Sequence, residues 1–287
     1  MRGRVVAAYG RRFEVELPGG RRLDCTVKGK RGGIACGDEV EVRESGDAGV
    51  IDSVAPRRSL LYRSDAFREK LIAANVTQAV IVLAPVPSYS EELLARCLVA
   101  AESQGIGVLL VLNKADLAPE AGAARERLKL YESLGYALVA ISAERDVSPL
   151  AARLKGHVNV LVGQSGMGKS TIVNALVPGA GAATAEHSEA LDSGRHTTSH
   201  SRLYHLDAAT DLIDSPGMQE FGLRHVPVEA IAPGFPELRP HLGRCRFRNC
   251  RHLGEPDCAV VVAAAAGAVD RRRLEIYRAL RRERLDD

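Results

Sequence analysis

A glycine-rich segment in the middle of this 287-residue chain has the spacing of a phosphate-binding loop. Residues 163–170, GQSGMGKS, match the pattern G-x-x-x-x-G-K-S/T at every fixed position, between an apolar run and a helical pattern. Glycines at these positions let backbone N–H groups converge on phosphate oxygens at the start of a helix. We expect Lys169 to reach the β- and γ-phosphates and Ser170 to ligate Mg²⁺. The other loop residues expected to line the nucleotide are Gly163, Gln164, Ser165, Gly166, Met167, Gly168 and Thr171.

A candidate base-binding loop, NKAD, lies upstream at residues 113–116 and follows an apolar run. The Asp116 carboxylate could accept both N1–H and N2–H₂ of guanine, and adenine cannot offer this pair of donors. Lys114 would lie along the base, and Asn113 would tie this loop to the phosphate loop. The tetrapeptide alone is a weak signal, because exposed Asn-Lys-x-Asp turns are common.

Two more segments follow predicted strands and complete a guanine nucleotide site. In ISA, residues 141–143, Ser142 and Ala143 would lie beside the base, and the Ala143 N–H could meet guanine O6. In DSPG, residues 214–217, Asp214 would hold Mg²⁺ through water and the Gly217 N–H would meet the γ-phosphate. Ligands bind at the carboxyl edge of such sheets, so four loops there are hard to assign to coincidence.

Alternating strands and helices must position these loops. Buried apolar runs alternate with helical spacing from residue 71 to residue 214, which indicates a parallel sheet with helices on both faces. The expected strands are 75–84, 107–112, 137–143, 157–163, 201–206 and 211–214, and the expected helices are 91–104, 123–134 and 148–155. Residues 179–200 show no periodicity, and a long irregular loop of this kind inside a compact domain is usually functional.

Short strands separated by turns occupy the first 55 residues. The candidates are Arg4–Tyr9, Phe13–Leu17, Arg22–Val27, Glu39–Arg43 and Val50–Val54. Five short strands favour a small closed barrel, of the OB type or, as the alternative, of the SH3-like type. The C-terminal 63 residues are irregular at first and then helical, with a basic helix near 271–285.

Charge and apolar content limit the classes of function. Residues 1–60 and 225–287 each carry 12 Lys/Arg against 9 Asp/Glu, whereas residues 61–224 carry 15 against 18. The basic ends are compatible with polyanion contacts and equally with an ordinary solvated surface. The longest apolar run, 259–269, is too short to span a membrane, and the N-terminus lacks a signal-peptide core. We expect a cytoplasmic, monomeric protein.

Three cysteines and a histidine near the C-terminus are residue types that commonly bind metal ions. Cys245, Cys250, His252 and Cys258 fall within 14 residues. Three thiolates and one imidazole suit a closed tetrahedral Zn²⁺ site, which would be structural. The spacing is tighter than in common zinc fingers, so a chance cluster of buried cysteines beside an exposed histidine is the alternative.

These motifs together resemble the circularly permuted GTPases of the small-ribosomal-subunit-dependent class, which assist late maturation of the bacterial 30S subunit. The resemblance rests on the barrel, NKAD, ISA, GQSGMGKST, GRHTTSH, DSPGMQEFGL and the cysteine cluster, in this order. It implies an OB-fold domain over residues 1–60, a circularly permuted α/β P-loop GTPase domain over 61–224, and a zinc-binding, mostly helical domain over 225–287. It also implies zinc at all four cluster positions.

The order of the loops predicts how the site is linked to the rest of the chain. Because DSPGMQEFG follows the phosphate loop, it ends the GTPase domain and leads directly into the C-terminal domain. A γ-phosphate that orders Gly217 would therefore act on the zinc domain through little intervening chain.

The residue that positions the attacking water is the least determined part of the site. In familiar GTPases a glutamine follows the glycine of this loop, whereas here the position holds Met218. His196 or His200 could position water, and either Thr197 or Thr198 would complete the Mg²⁺ shell; Thr198 and His200 are our candidates. On the sequence alone, each histidine is better explained as a surface residue than as a catalyst.

The partners expected from the resemblance are the 30S subunit, 16S rRNA, ribosomal proteins and assembly factors. The reaction would be GTP hydrolysis to GDP and phosphate, slow alone and stimulated by the small subunit. Five arginines between residues 239 and 254, and a basic group at the barrel turns, could contact RNA phosphates. The barrel group is Arg11, Arg12, Arg21, Arg22, Lys28, Lys30 and Arg31. The alternatives are a P-loop kinase acting on a small molecule and a zinc RNA-binding protein whose nucleotide site is degenerate.

Overall fold

The N-terminal strands form a closed barrel. A computed structural model describes residues 1–27, 33–46, 48–64, 69–182 and 200–286. The barrel strands are β1 (Arg2–Tyr9), β2 (Arg12–Glu16), β3 (Arg22–Val27), β4 (Glu39–Ser45) and β5 (Ala48–Val54). Their order is β1-β2-β3-β5-β4, β3 and β5 are parallel, and β4 pairs back onto β1. This Greek-key order confirms the OB-type prediction over the SH3-like alternative.

Buried and exposed residues alternate along the barrel strands, so that one face of each strand lines the inside of the barrel. In β2 and β3, Phe13, Val15, Leu23 and Cys25 are buried, whereas the residues between them are partly or fully exposed. A strand places successive side chains on opposite faces, so this period-two pattern supplies one apolar lining. The lining forms a core of its own, separate from the core of the rest of the chain.

A β-hairpin that the sequence analysis missed follows the barrel. Its strands are β6 (Leu60–Ser64) and β7 (Glu69–Ala74), and they form a separate two-stranded sheet. The last residue of β6 contacts the segment after DSPG, because the Ser64 N–H donates to Gly222 O at 3.1 Å and the His225 N–H donates to Ser64 Oγ at 2.8 Å. The hairpin is therefore packed against the connection to the C-terminal residues.

A six-stranded sheet carries the predicted loops. Its strands are β8 (Gln78–Leu83), β9 (Gly107–Leu112), β10 (Ala137–Ala140), β11 (Val158–Val162), β12 (Ser201–Asp207) and β13 (Thr210–Asp214). The order is β10-β9-β8-β11-β13-β12, and every pairing is parallel except that of β12 with β13. The carboxyl ends of the five parallel strands therefore meet at one edge, as predicted.

In the described part of residues 69–214, four helices accompany this sheet. They are α1 (Glu91–Ser103), α2 (Glu120–Ser133), α3 (Ser148–Leu154) and α4 (Lys169–Leu176). The Ser90 hydroxyl caps α1 by accepting the Leu93 N–H at 3.2 Å. Helices of this kind cover a sheet whose central strands are almost entirely buried.

The barrel continues the edge of the larger sheet. Ala7 of β1 pairs with Arg202 of β12 in an antiparallel register. Beside this junction the ring of His205 lies between two carboxylates: Nδ1 is 2.6 Å from Asp211 Oδ1, and Nε2 is 2.6 Å from Glu16 Oε2. Only the imidazolium can donate to both carboxylates at once, so the charged form of His205 links β2 of the barrel to β13.

The C-terminal residues pack on α1 and α2. They form α5 (Val228–Ile231), a 3-10 helix (Pro236–His241), α6 (Ala259–Ala265) and α7 (Arg271–Asp286). Arg273 of α7 is buried, pairs with Glu237, and lies over the rings of Tyr131 and Phe235 at 5.0 and 4.8 Å. Within the described part of the chain, no helix is both long and apolar enough to cross a membrane.

Candidate nucleotide site and metal centre

The phosphate-binding loop leaves β11 and enters α4, which begins at Lys169. Gly163 and Gly168 have φ angles of 149° and 87°, which L side chains rarely adopt. A Cβ atom at Gly163 would come within 2.4 Å of Val82 O, and one at Gly168 within 2.3 Å of Asn113 Nδ2. Both glycines are therefore required by conformation and by close approach.

Lys169 is held inside this loop. Its Nζ donates to Gly163 O at 2.9 Å and to Gln164 O at 2.8 Å. Burial lowers the pKa of Lys169 to about 8, although the carboxylate of Asp214 acts in the opposite direction. An ammonium desolvated in this way would gain strongly from a phosphate anion.

Asn113 joins three loops. Its Nδ2 donates to Met167 O at 3.0 Å, and its Oδ1 accepts the N–H of Ala143 at 3.0 Å. Lys114, with a left-handed φ of 57°, donates from Nζ to Gly166 O at 3.0 Å. The Met167 side chain is buried, so this residue can offer the phosphates only its backbone N–H. The three predicted segments are thus brought together, but the Ala143 N–H that we expected to meet guanine O6 is donated to the Asn113 side chain instead.

The Asp116 carboxylate is oriented from the ISA segment. Ser142 Oγ donates to Asp116 Oδ1 at 2.6 Å, and Arg145 Nη2 lies 3.4 Å from Asp116 Oδ2. The hydrogen bond from Ser142, followed by a backbone N–H and the charge of Arg145, lowers the pKa of Asp116. Sequence reasoning missed Arg145 because its contact depends on how the loop after β10 folds back.

A cleft of about 210 Å³ lies between these loops. Its lining residues are Asn113, Lys114, Asp116, Leu117, Ala143, Glu144, Gly168 and Thr171. The cleft therefore joins the expected base-binding residues to the phosphate-binding loop. A purine base and ribose could lie here with an ionised carboxylate at one end.

Asp214 lies at the carboxyl end of β13 and is almost fully buried. Burial raises the pKa of Asp214 to about 6, and the charge of Lys169 opposes this shift. The Asp214 carboxylate and the hydroxyl of Ser170, at the start of α4, are oxygen donors of the kind that Mg²⁺ prefers. Ser170 would ligate the ion directly and Asp214 would hold it through water. The other proposed magnesium ligand, Thr198, lies outside the described residues, as do Thr197 and His196.

Gly217 and Met218 follow at the same edge. A Cβ atom at Gly217 would lie 3.3 Å from Lys169 Nζ, so this glycine adjoins the phosphate loop. The Met218 N–H donates to Gly163 O at 3.2 Å, and its side chain is buried. Met218 therefore neither points toward bulk solvent nor offers a donor that could orient water.

Gln164 and His200 make contacts that sequence reasoning did not predict. Gln164 Oε1 accepts the N–H of Ser90, the residue that caps α1, at 2.7 Å. The ring of His200 lies 5.1 Å from the ring of Tyr9 in the barrel. His200 precedes β12, whose Arg202 pairs with Asp214, so it lies at the nucleotide edge of the sheet.

The four predicted zinc ligands converge. Their ligand atoms all lie within 4.8 Å of one another. The Cys245 and Cys258 sulfurs are 3.9 Å apart, and His252 Nδ1 is 3.4, 3.5 and 3.4 Å from the sulfurs of Cys245, Cys250 and Cys258. A tetrahedral ion with Zn–S and Zn–N bonds of about 2.3 and 2.0 Å requires edges of about 3.8 and 3.5 Å. The donor set and its spacing fit zinc.

Glu255 organises the loop that carries these ligands. Its carboxylate accepts the N–H groups of Arg251, Leu253 and Gly254 at 2.8 to 3.1 Å. Burial opposes its ionisation, but these backbone donors lower the pKa of Glu255 to about 2. Its charged side chain therefore holds the backbone around His252.

The arginines near the cluster divide into two groups. Arg239 pairs with Glu102 of α1 at 2.6 Å and so belongs to the packing of the C-terminal residues on the sheet. Arg244, Arg246, Arg248 and Arg251 are exposed, although Arg246 also pairs with Asp257 at 3.0 Å. Phe247, which is 43% exposed, lies among them.

Comparisons with known proteins agree with this geometry. Residues 54–224 match the family model described as RsgA GTPase. A relative from Nitrosospira multiformis named "Small ribosomal subunit biogenesis GTPase RsgA" is 56% identical over 98% of this chain and 90% of its own length. A relative of the same name from Nitrosomonas europaea is 56% identical over 97% of this chain and 90% of its own length.

Two solved structures share the whole architecture. YjeQ from Thermotoga maritima matches with a TM-score of 0.74 and 29% identity, over 100% of this chain and 99% of its own. YloQ, described as a circularly permuted GTPase, matches with a TM-score of 0.71 and 26% identity, over 99% and 95% of the two chains. In this chain too, the guanine loop precedes the phosphate loop on one sheet edge. The chain is therefore a circularly permuted GTPase and belongs to the RsgA GTPase family.

Proposed function

We propose that this protein hydrolyses GTP to GDP and phosphate during late maturation of the 30S ribosomal subunit, and that the small subunit stimulates the reaction. The observation that carries the proposal is that NKAD, ISA, the phosphate loop and DSPG meet at one edge of the sheet. After DSPG the chain continues into the C-terminal residues that contain the cysteine cluster. The names of the relatives support the biological setting.

Different residues of the site bind the base, the phosphates, the magnesium ion and the attacking water. Asp116 selects guanine, and the phosphate-loop N–H groups with Lys169 bind the β- and γ-phosphates. The Ala143 N–H has no part in this selection, because it is donated to Asn113 Oδ1. Mg²⁺ held by Ser170, Thr198 and Asp214 would supply positive charge to the phosphate oxygens. The Gly217 N–H would donate to the γ-phosphate. His200 remains our candidate for positioning water, since Met218 cannot do so.

The flanking domains would bind the subunit. We propose boundaries at residues 1–60, 61–224 and 225–287. Arg11 and Arg12 are exposed at the β1–β2 turn, and four exposed arginines surround the proposed zinc site. Such residues suit contacts to 16S rRNA phosphates in the cytoplasm. Other basic barrel residues of the prediction, Lys28, Lys30 and Arg31, lie outside the described residues.

A sedimentation experiment tests the proposal. We expect the protein to pellet with 30S subunits when a non-hydrolysable GTP analogue is bound and to be released when GDP is bound, with little pelleting on 50S particles. Equal pelleting on 30S and 50S particles with either nucleotide would contradict the proposal. Phosphorylation of a small molecule by the purified protein would instead favour the kinase alternative.

A further inference from the structure

Two cations face each other across the hairpin that follows the barrel. Arg63 of β6 and Lys70 of β7 are directly opposite in the antiparallel register. Like charges at directly opposed positions destabilise a strand pair. Arg63 donates to Glu220 O at 2.7 Å, but neither side chain forms a salt bridge with a carboxylate in the part of the chain that the structure describes. Among the described residues, this pair of positive charges on the hairpin therefore has no carboxylate partner.

The pair lies beside the segment that would contact the γ-phosphate. Arg63 and Lys70 line a narrow cleft together with Leu71, Ile72, Ser201, Ser215, Pro216 and Met218. Pro216 and Met218 flank Gly217, which adjoins Lys169 Nζ. Burial, and then the charge of Arg63, lower the pKa of Lys70, so a nearby anion would favour its ammonium form.

The reaction needs a cation in this region. Negative charge spreads over the γ-phosphoryl oxygens in the transition state, and other GTPases add an arginine to the phosphate-loop lysine, either in cis or from a partner. Here Lys169 is the phosphate-loop cation, and Met218 supplies no donor. Arg63 is engaged with the backbone of Glu220, which leaves the ammonium of Lys70 on its flexible stem available for a second cationic contact.

We propose that Lys70 is a catalytic cation supplied in cis, whose ammonium donates a hydrogen bond to a γ-phosphoryl oxygen in the transition state. The water oxygen forms a bond to the γ-phosphorus, the bond to the β–γ bridging oxygen breaks, and GDP keeps that oxygen. Both protons of the water leave with the released phosphate, as H2PO4⁻, and Lys70 keeps its own protons throughout. The inference rests on the proposed GTP hydrolysis and does not depend on stimulation by the subunit.

Single-turnover GTP hydrolysis by the isolated protein tests this assignment. We expect Lys70→Gln to lower the rate constant at least about tenfold, which is a modest loss for a donor to a transition-state oxyanion. Affinity for GDP should stay within about twofold of wild type, whereas affinity for GDP with aluminium fluoride should fall by the same factor as the rate. Lys70→Arg should restore most of both losses.

A matched control is Lys155→Gln, which removes the same charge after α3, at the opposite edge of the sheet. Its rate and both affinities should equal those of wild type. The proposal is overturned if Lys70→Gln keeps the wild-type rate and aluminium fluoride affinity, including the case in which it loses only affinity for 30S subunits. Equal losses of GDP affinity and rate would also overturn it, because Lys70 would then serve ground-state binding. Failure of 30S subunits to stimulate the wild type bears on the proposed function alone.

Discussion

Asn113 donates a hydrogen bond to the carbonyl oxygen of Met167 across 3.0 Å and so fixes the guanine loop to the phosphate loop. The two residues are 54 positions apart, and the guanine loop comes first along the chain. A parallel sheet brings the ends of its strands together regardless of where the chain is cut. Permutation therefore preserves the site while making DSPG the direct neighbour of the C-terminal residues.

Replacing Asn113 by Ala should weaken nucleotide binding and stability together. The change removes the bond to Met167 and leaves the Ala143 N–H without its acceptor, so we expect a loss of about 1–3 kcal/mol in the free energy of unfolding. If the same free energy is lost from nucleotide binding, GDP affinity should fall by about 5- to 150-fold. Urea unfolding and calorimetry measure the two effects. Asn159→Ala is the control, because Asn159 is also buried but bonds Leu154 and Asp211 away from the site; it should lose stability and keep GDP affinity.

Replacing Asp116 by Asn should change the preferred base. Xanthine carries a carbonyl where guanine carries its N2 amino group, and an amide can donate to that carbonyl whereas a carboxylate cannot. We expect the preference for GTP over XTP to fall by a factor of about 100 or more in competition binding. Asp207→Asn, at the end of β12, should leave the preference unchanged. An unaltered preference in Asp116→Asn would remove this residue from the base site.

The sequence predicted the site better than it predicted the packing around it. Glycine spacing, strand periodicity and the cysteine spacing are local signals, so the phosphate loop, the OB strands and the ligand cluster were all anticipated. Hairpin β6–β7 was missed because its two strands are short and its partner segment, near Gly222, lies far along the chain. Arg96 pairs with Glu283, which lies 187 residues further along the chain, and no local sequence pattern predicts such a contact.

The bridge made by His205 should make stability depend on pH. Burial opposes the charged form, but hydrogen bonds to Glu16 and Asp211 raise the pKa of His205 above its ordinary value. This contribution is fully present below the unfolded pKa of about 6.5 and is lost as pH rises through the higher folded pKa. We expect the ring to titrate above 6.5 by NMR in the wild type and lower in Glu16→Gln. His157→Gln should leave that titration unchanged, because the His157 ring forms its hydrogen bond with the Thr77 hydroxyl. A His205 titration at or below 6.5 would contradict the double bridge.

Zinc removal should act on the C-terminal residues and spare the nucleotide site. One zinc per chain is expected by elemental analysis, and Cys250→Ala should lose it because three ligands no longer close the tetrahedron. Unfolding temperature should fall, while GDP affinity stays within about twofold, since the cluster donates nothing to the cleft. Cys25→Ala removes a buried barrel sulfur and should retain the zinc. Protein purified without chelator that contains no zinc would defeat the assignment.

The arginines around the zinc site should carry part of the binding to RNA. Replacing Arg246, Arg248 and Arg251 together by Ala should weaken 30S binding and flatten its salt dependence, because fewer counterions are released from the RNA. The control replaces Arg125, Lys129 and Lys155, which removes three charges from α2 and the end of α3. Basal GTP hydrolysis should be unchanged in both variants. A triple arginine variant that behaves as wild type would move the RNA contact to the barrel.

The central claim is that the small ribosomal subunit stimulates slow GTP hydrolysis by this protein, and one measurement tests it most directly. GTP turnover of the wild-type protein is followed against 30S concentration at several salt concentrations. We predict saturable acceleration by 30S subunits at low salt that falls steeply as salt rises, with basal turnover nearly constant. Turnover that stays at its basal value at every 30S concentration in low salt would contradict the account.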